Sequence, residues 1–153
     1  MEGLDLATRL STSEAYTWLF KLLCNPGEGV LVPRPSYPLF EHLTRLEGVR
    51  AHPYELDYHS RWEVDFGSIR RAPPDTRALL VVTPNNPTGS YVSAAESAEL
   101  DPLCRDRGWP LVTDEVFAEY PLDAEGPGTP LAARAGALTF TLSGLPKLAG
   151  LPQ

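Results

Sequence analysis

The sequence predicts an α/β protein with a mainly parallel sheet, and three observations point there. The run Ala78-Leu79-Leu80-Val81-Val82-Thr83 is apolar and partly β-branched, the pattern of a strand buried on both faces. Further short apolar runs alternate with capped helical stretches, as in repeated strand–helix units. Several of these runs deliver a polar or reactive side chain just past their carboxyl ends, where open α/β sheets hold ligands.

The totals agree with one domain. A chain of 153 residues, 42% hydrophobic, is long enough to bury a sizeable core. No apolar run approaches the length of a membrane span, which predicts no membrane partner. Met1 is followed by Glu2 and Asp5 with no basic and apolar leader pattern, and Cys24 and Cys104 show no pairing signature. A cytoplasmic protein with reduced thiols is expected. Thirteen basic against twenty acidic residues give a net charge of −7, which argues against a nucleic-acid partner.

In order along the chain, Leu4–Leu10 is a weak strand candidate. Ser11 and Glu14 have the spacing of a capping box and open a helix to about Cys24, closed by Asn25-Pro26-Gly27. Hydroxyls and free N–H groups at such a helix start either cap the helix or hold an anion. Val30–Pro33 is a short strand, followed by Pro33-Arg34-Pro35-Ser36-Tyr37-Pro38. Prolines around Tyr37 stiffen the backbone into a ledge for a ring that stacks on a flat ligand or fills the core. A helix over Leu39–Leu46 and a strand near Val49–Tyr54 come next, and Trp62–Ile69 reads as a connection with a helical turn.

After the central strand, Asn85-Asn86-Pro87-Thr88-Gly89 is a turn. Ser93 and Glu96 form a second capping box, starting a helix towards Gly108. Asp101-Pro102 is expected to split it in two with Asp101 as the second cap, because proline inside a helix costs about 3 kcal/mol. Leu111–Thr113 delivers Asp114 at a strand end, as a cap, a metal ligand or the partner of a cationic ring nitrogen. His42, His52 and His59 share no ligand spacing, and no metal is expected. Residues 121–130 read as a surface loop. The last strand, Ala137–Leu142, leads into Ser143-Gly144-Leu145-Pro146-Lys147, where the lysine lies in an uncharged stretch. Apolar surroundings favour a free, nucleophilic amine.

An anion-binding helix start, an aromatic ledge, an amide, a carboxylate and a lysine together suit one flat, phosphorylated heteroaromatic aldehyde, pyridoxal 5′-phosphate (PLP). The order NNPTG, then Asp114-Glu115-Val116-Phe117, then the lysine segment resembles the large domain of the fold-type I, class I/II PLP-dependent aminotransferases. The resemblance runs from about Ser11 to Gln153. It implies a three-layer sandwich around the mainly parallel sheet, with residues 1–153 as part of the PLP-binding large domain. It further implies that Lys147 holds PLP covalently and moves the proton, and that Asp114 pairs with the ring nitrogen. Asn86 would donate to the ring 3-oxygen, Tyr37 would stack on the ring, and Ser11, Thr12 and Ser13 would cradle the phosphate. Phe117 and Ser143 would also line the cofactor.

The sequence departs from the family pattern at three places. Phe117 stands where a tyrosine usually assists the 3-oxygen, Pro146 precedes the lysine, and Gly144 replaces a serine, with Ser143 one place away. The family's phosphate and substrate-carboxylate arginines, its C-terminal small domain and its N-terminal arm fall outside these residues, so a fragment of the domain, truncated at both ends and impaired in turnover, is expected. The implied reaction is amino-group transfer between an amino acid and a 2-oxo acid, by a protein that is a homodimer at full length. A non-catalytic PLP-binding remnant or module, or another PLP reaction such as C–S β-elimination, is the alternative.

Overall fold

The computed structural model describes residues 12–118, 120 and 136–144. The elements run α1 (Thr12–Leu23), β1 (Gly29–Arg34), α2 (Leu39–Leu46), β2 (Arg50–Tyr58), β3 (Trp62–Val64), α3 (Phe66–Arg70), β4 (Thr76–Val82), α4 (Ala94–Arg107), β5 (Leu111–Asp114) and β6 (Thr139–Leu142). Six strands make one sheet in the order β3-β2-β1-β4-β5-β6. Every neighbouring pair is parallel except β2 and β3, which form an antiparallel ribbon at one side.

Strand alternation explains the layers. Val30 and Val32 of β1 with Ala78, Leu80 and Val82 of β4 pack against Tyr16 and Phe20 of α1 and Phe40 and Leu43 of α2. Their alternating neighbours Leu31, Leu79 and Val81 face the other way, onto Ile69 of α3 and Leu100 and Cys104 of α4. Both faces of the sheet are therefore covered, which is why β4 reads as an unbroken apolar run. The predicted three-layer, mainly parallel arrangement is the one found.

Two elements differ from expectation. Trp62–Val64 is a strand, not a connection, because it pairs antiparallel with Leu56–Tyr58 of β2, and Glu96 of α4 anchors it from outside the ladder: its Oε1 accepts from the Val64 amide at 2.9 Å. The same carboxylate closes the predicted capping box with Ser93. α4 also runs uninterrupted through Pro102. Leu100 and Cys104, on either side of the proline, are both buried against the same face of the sheet, and that shared burial holds one axis. Pro102 and Ala98, whose carbonyl loses its helical donor, both lie on the exposed side, where water can accept the role. Asp101 is not a cap; it accepts from the amides of Gly136 and Ala137, and Arg105 pairs with it, so it fixes the approach to β6.

Leu4–Leu10 and the loop at 121–130 lie outside the described residues. Cys24 follows α1 and Cys104 lies within α4, both as free thiols. Burial pushes them up to about 11 and about 12 respectively, so both stay protonated near neutrality. On the amino-terminal rim of the sheet, His52 lies against the backbone of Gly29, where an added Cβ would overlap its ring. Asp75 holds His52 there at 3.1 Å.

Candidate active site

Parallel strands put all their carboxyl ends on one rim, and the polar groups of the chain gather there. β4 ends at Val82, opposite Asp114 at the end of β5, and the Thr83 amide donates to the Asp114 carbonyl at 2.9 Å. Beyond Thr83 the chain turns through Asn85–Gly89, closed by Gly89 N to Asn85 O at 2.7 Å with Gly89 in the left-handed region.

The two asparagines of that turn have different work. Asn85 is buried, and its Nδ2 donates to the Pro35 carbonyl at 3.0 Å and to Thr88 Oγ1 at 2.9 Å. Its Oδ1 accepts from Ser36 Oγ at 3.1 Å, so Asn85 ties the β4 turn to the loop after β1. Asn86 is exposed, with its amide facing outward from a backbone that Asn85 has fixed. Sequence reasoning singled out Asn86 and missed Asn85, although its place directly after a buried strand was a signal for it.

The β1 loop carries the proline-flanked ledge. Tyr37 is 47% exposed, with its ring edge-on to Phe40 at 6.3 Å between centroids. Phe40 in turn lies edge-on to Tyr16 at 5.2 Å. Tyr16 Oη donates to Asp114 Oδ2 at 2.6 Å. An unbroken run of contacts thus links the exposed ring to the strand-end acid.

Asp114 is half-buried, and its second oxygen, Oδ1, accepts from the Val116 amide at 3.1 Å. Burial raises its proton affinity above the usual carboxylate range, and the hydrogen bonds from Tyr16 and Val116 pull in the opposite direction. Phe117 follows in the same turn, 40% exposed. Ser143 is exposed just past β6, whose last residue pairs with Asp114. Thr12 and Ser13 occupy the first turn of α1, both partly exposed. Ser11 and Lys147, and with them Pro146, lie outside the described residues.

The rim therefore assembles Tyr37, Asn86, Asp114, Phe117, Ser143 and the α1 start. Tyr16 was missed as well: its spacing with Leu19 and Phe20 is that of a core face, and no spacing rule joins residues 16 and 114. Among the described residues no group of three or more His, Cys, Asp or Glu side chains could hold a metal ion.

A doubly covered, mostly parallel sheet with polar groups gathered on its carboxyl rim defines an α/β protein with a candidate ligand site at that rim. Solved aminotransferase structures share the fold. An aminotransferase from Escherichia coli superposes with a TM-score of 0.83 at 32% identity, over 92% of this chain and 36% of its own. Tyrosine aminotransferase from Leishmania infantum superposes with a TM-score of 0.82 at 28% identity, over 93% of this chain and 39% of its own. The chain belongs to the aminotransferase class I and II family, whose model matches residues 9–152. Among curated relatives, the glutamate-pyruvate aminotransferase AlaA of Haemophilus influenzae is 32% identical over 136 residues, 88% of this chain and 34% of that protein. The chain spans about a third of the length of the curated relatives it matches.

Proposed function

We propose that this chain is the cofactor-binding part of a PLP-dependent aminotransferase that moves an amino group between an amino acid and a 2-oxo acid. The observation that carries the proposal is Asp114: a half-buried carboxylate at a strand end, gripped on both oxygens, on the rim that also carries the exposed Asn86 and Tyr37. That donor set suits PLP, which offers a ring N–H to a carboxylate, a phenolic oxygen to an amide and a flat face to a tyrosine. When bound, PLP supplies an electrophilic aldehyde and an electron-accepting ring.

The residues of the chain do the rest. Asp114 keeps a proton on the ring nitrogen, Asn86 donates to the 3-oxygen, and Tyr37 covers one face of the ring. Ser11, Thr12, Ser13 and Ser143 would offer hydroxyls to the phosphate, with Thr12 and Ser13 at the positive end of α1. Lys147 would hold the aldehyde carbon through its amine and would carry the proton at the substrate Cα. Phe117 contributes apolar contact without a hydroxyl. The names of relatives, glutamate-pyruvate and alanine aminotransferase, make glutamate as amino donor and pyruvate as acceptor the first pair to try, with alanine and 2-oxoglutarate as the products.

The whole protein is read as a cytoplasmic homodimer of amino acid metabolism. Its free thiols support the cytoplasmic part of that reading, and no helix among the described residues is long and apolar enough to cross a membrane. The 153 residues alone, spanning about a third of the relatives' length, are expected to turn over weakly. The test is incubation with PLP, borohydride reduction and peptide mapping. A single phosphopyridoxyl group on Lys147, lost with Asp114→Asn, is expected. Label scattered over Lys21 and the amino terminus would overturn the proposal.

A further inference from the structure

We infer that Tyr16 is a positioning residue of this site: it clamps the Asp114 carboxylate and locks it at a fixed offset from the start of α1. The inference rests on the PLP reading above, and it concerns how two separate anchors of the cofactor, the ring nitrogen and the phosphate, are kept in register. Three observations combine.

Tyr16 is 3% exposed, and a phenol buried to that degree needs a partner for its hydroxyl. This core has an ordinary way to supply one: the equally buried Tyr54 donates to the backbone carbonyl of Leu80 at 3.0 Å. Tyr16 instead donates to a strand-end carboxylate at 2.6 Å, across a separation of 98 residues, in a short charge-assisted hydrogen bond.

The clamp is complete and still open to a ligand. Oδ2 receives Tyr16 and Oδ1 receives the Val116 amide, which fixes the plane of the carboxylate. Each oxygen keeps a second lone pair, so the group can accept a further N–H without giving up either donor.

Tyr16 itself cannot swing. Its ring stacks on Phe20 at 5.9 Å and meets Phe40 edge-on at 5.2 Å. It sits one helical turn after Thr12, so its hydroxyl is rigidly related to the amides and hydroxyls at the α1 start. One hydrogen bond thereby sets the spacing between the anion-binding helix end and the acid that receives the ring. A ligand holding both anchors depends on that spacing; a ligand holding one does not.

Tyr16→Phe removes the hydroxyl and keeps both ring contacts. Among the described residues Tyr16 is the titratable group that acts on Asp114, and the other contact, the Val116 amide, is neutral. In the unliganded chain labelled with carboxyl-13C aspartate, the Asp114 resonance, assigned by its loss in Asp114→Asn, is expected to titrate at higher pH in Tyr16→Phe. The midpoint of Asp75, far from Tyr16 on the opposite rim, stays in place. The dissociation constant for PLP rises about tenfold, the scale of one lost hydrogen bond to a charged group, while that for pyridoxal, which lacks the phosphate, rises less.

An unmoved Asp114 midpoint, or equal losses for PLP and pyridoxal, overturns the inference. Should Tyr16→Phe fail to fold, uniform incorporation of 3-fluorotyrosine keeps the shape and strengthens the donor. The Asp114 midpoint must then fall, and a static one overturns the clamp. The titration needs no cofactor, so a moved midpoint without phosphopyridoxyl-Lys147 would sink the PLP proposal and leave the clamp standing.

Discussion

At the scale of single residues, Asn85 and Asn86 are adjacent in sequence and opposite in role. Asn85→Ala removes three hydrogen bonds at a buried position and leaves the Pro35 carbonyl and Ser36 hydroxyl short of a partner. A loss of roughly 2–4 kcal/mol is expected in chemical denaturation, on the scale of one to two unsatisfied buried groups. Asn86→Ala at the exposed position should stay within about 0.5 kcal/mol of the parent and yet weaken PLP binding. Asp114 makes the same division visible through pH. Its folded-state proton affinity is raised, so the folded chain holds that proton more tightly than the unfolded one. Stability from this group is thus lost as pH climbs from the ordinary carboxylate range through the raised value. Asp114→Asn, which cannot ionise, should unfold at a higher temperature than the parent near neutral pH. The gain should vanish in acid, as thermal scans across pH will show.

At the scale of elements, α4 tests how far local rules reach. Pro102 sits exposed inside a continuous helix, so Pro102→Ala restores a donor to the Ala98 carbonyl. It should raise stability by roughly 1–3 kcal/mol, read as a higher denaturation midpoint. The caps of α4, the apolar run of β4 and the helix over Leu39–Leu46 were legible because each is decided by neighbours within a few residues. The split at Asp101-Pro102 was not, because Leu100 and Cys104 are held by a sheet that no local window contains. β3 was hidden for the same reason: its anchor, Glu96, is 32 residues further on. Glu96→Ala should therefore speed amide hydrogen exchange at Val64 far more than at Leu80. The site divides likewise. Asn86, Asp114 and the Tyr37 ledge follow from strand ends and turn chemistry, whereas Asn85 and Tyr16 act through partners 49 and 98 residues away.

At the scale of the whole molecule, the parallel sheet separates labour between its two rims. The carboxyl rim gathers the groups proposed to face the ligand, while the amino rim carries the close Gly29–His52–Asp75 contact. Gly29→Ala should lower the unfolding temperature and leave the proton affinity of Asp114 untouched, since the overlap it creates lies at the far end of β1. The bond from Tyr16 to Asp114 also has a consequence in time. During synthesis α1 leaves the ribosome long before β5, and Tyr16 has no carboxylate to hold until almost a hundred further residues have emerged. A nascent chain can form β1, α2 and β4 and still lack the acid proposed to receive the ring nitrogen. On that proposal, a polypeptide stalled short of residue 114 binds PLP more weakly than the longer chain.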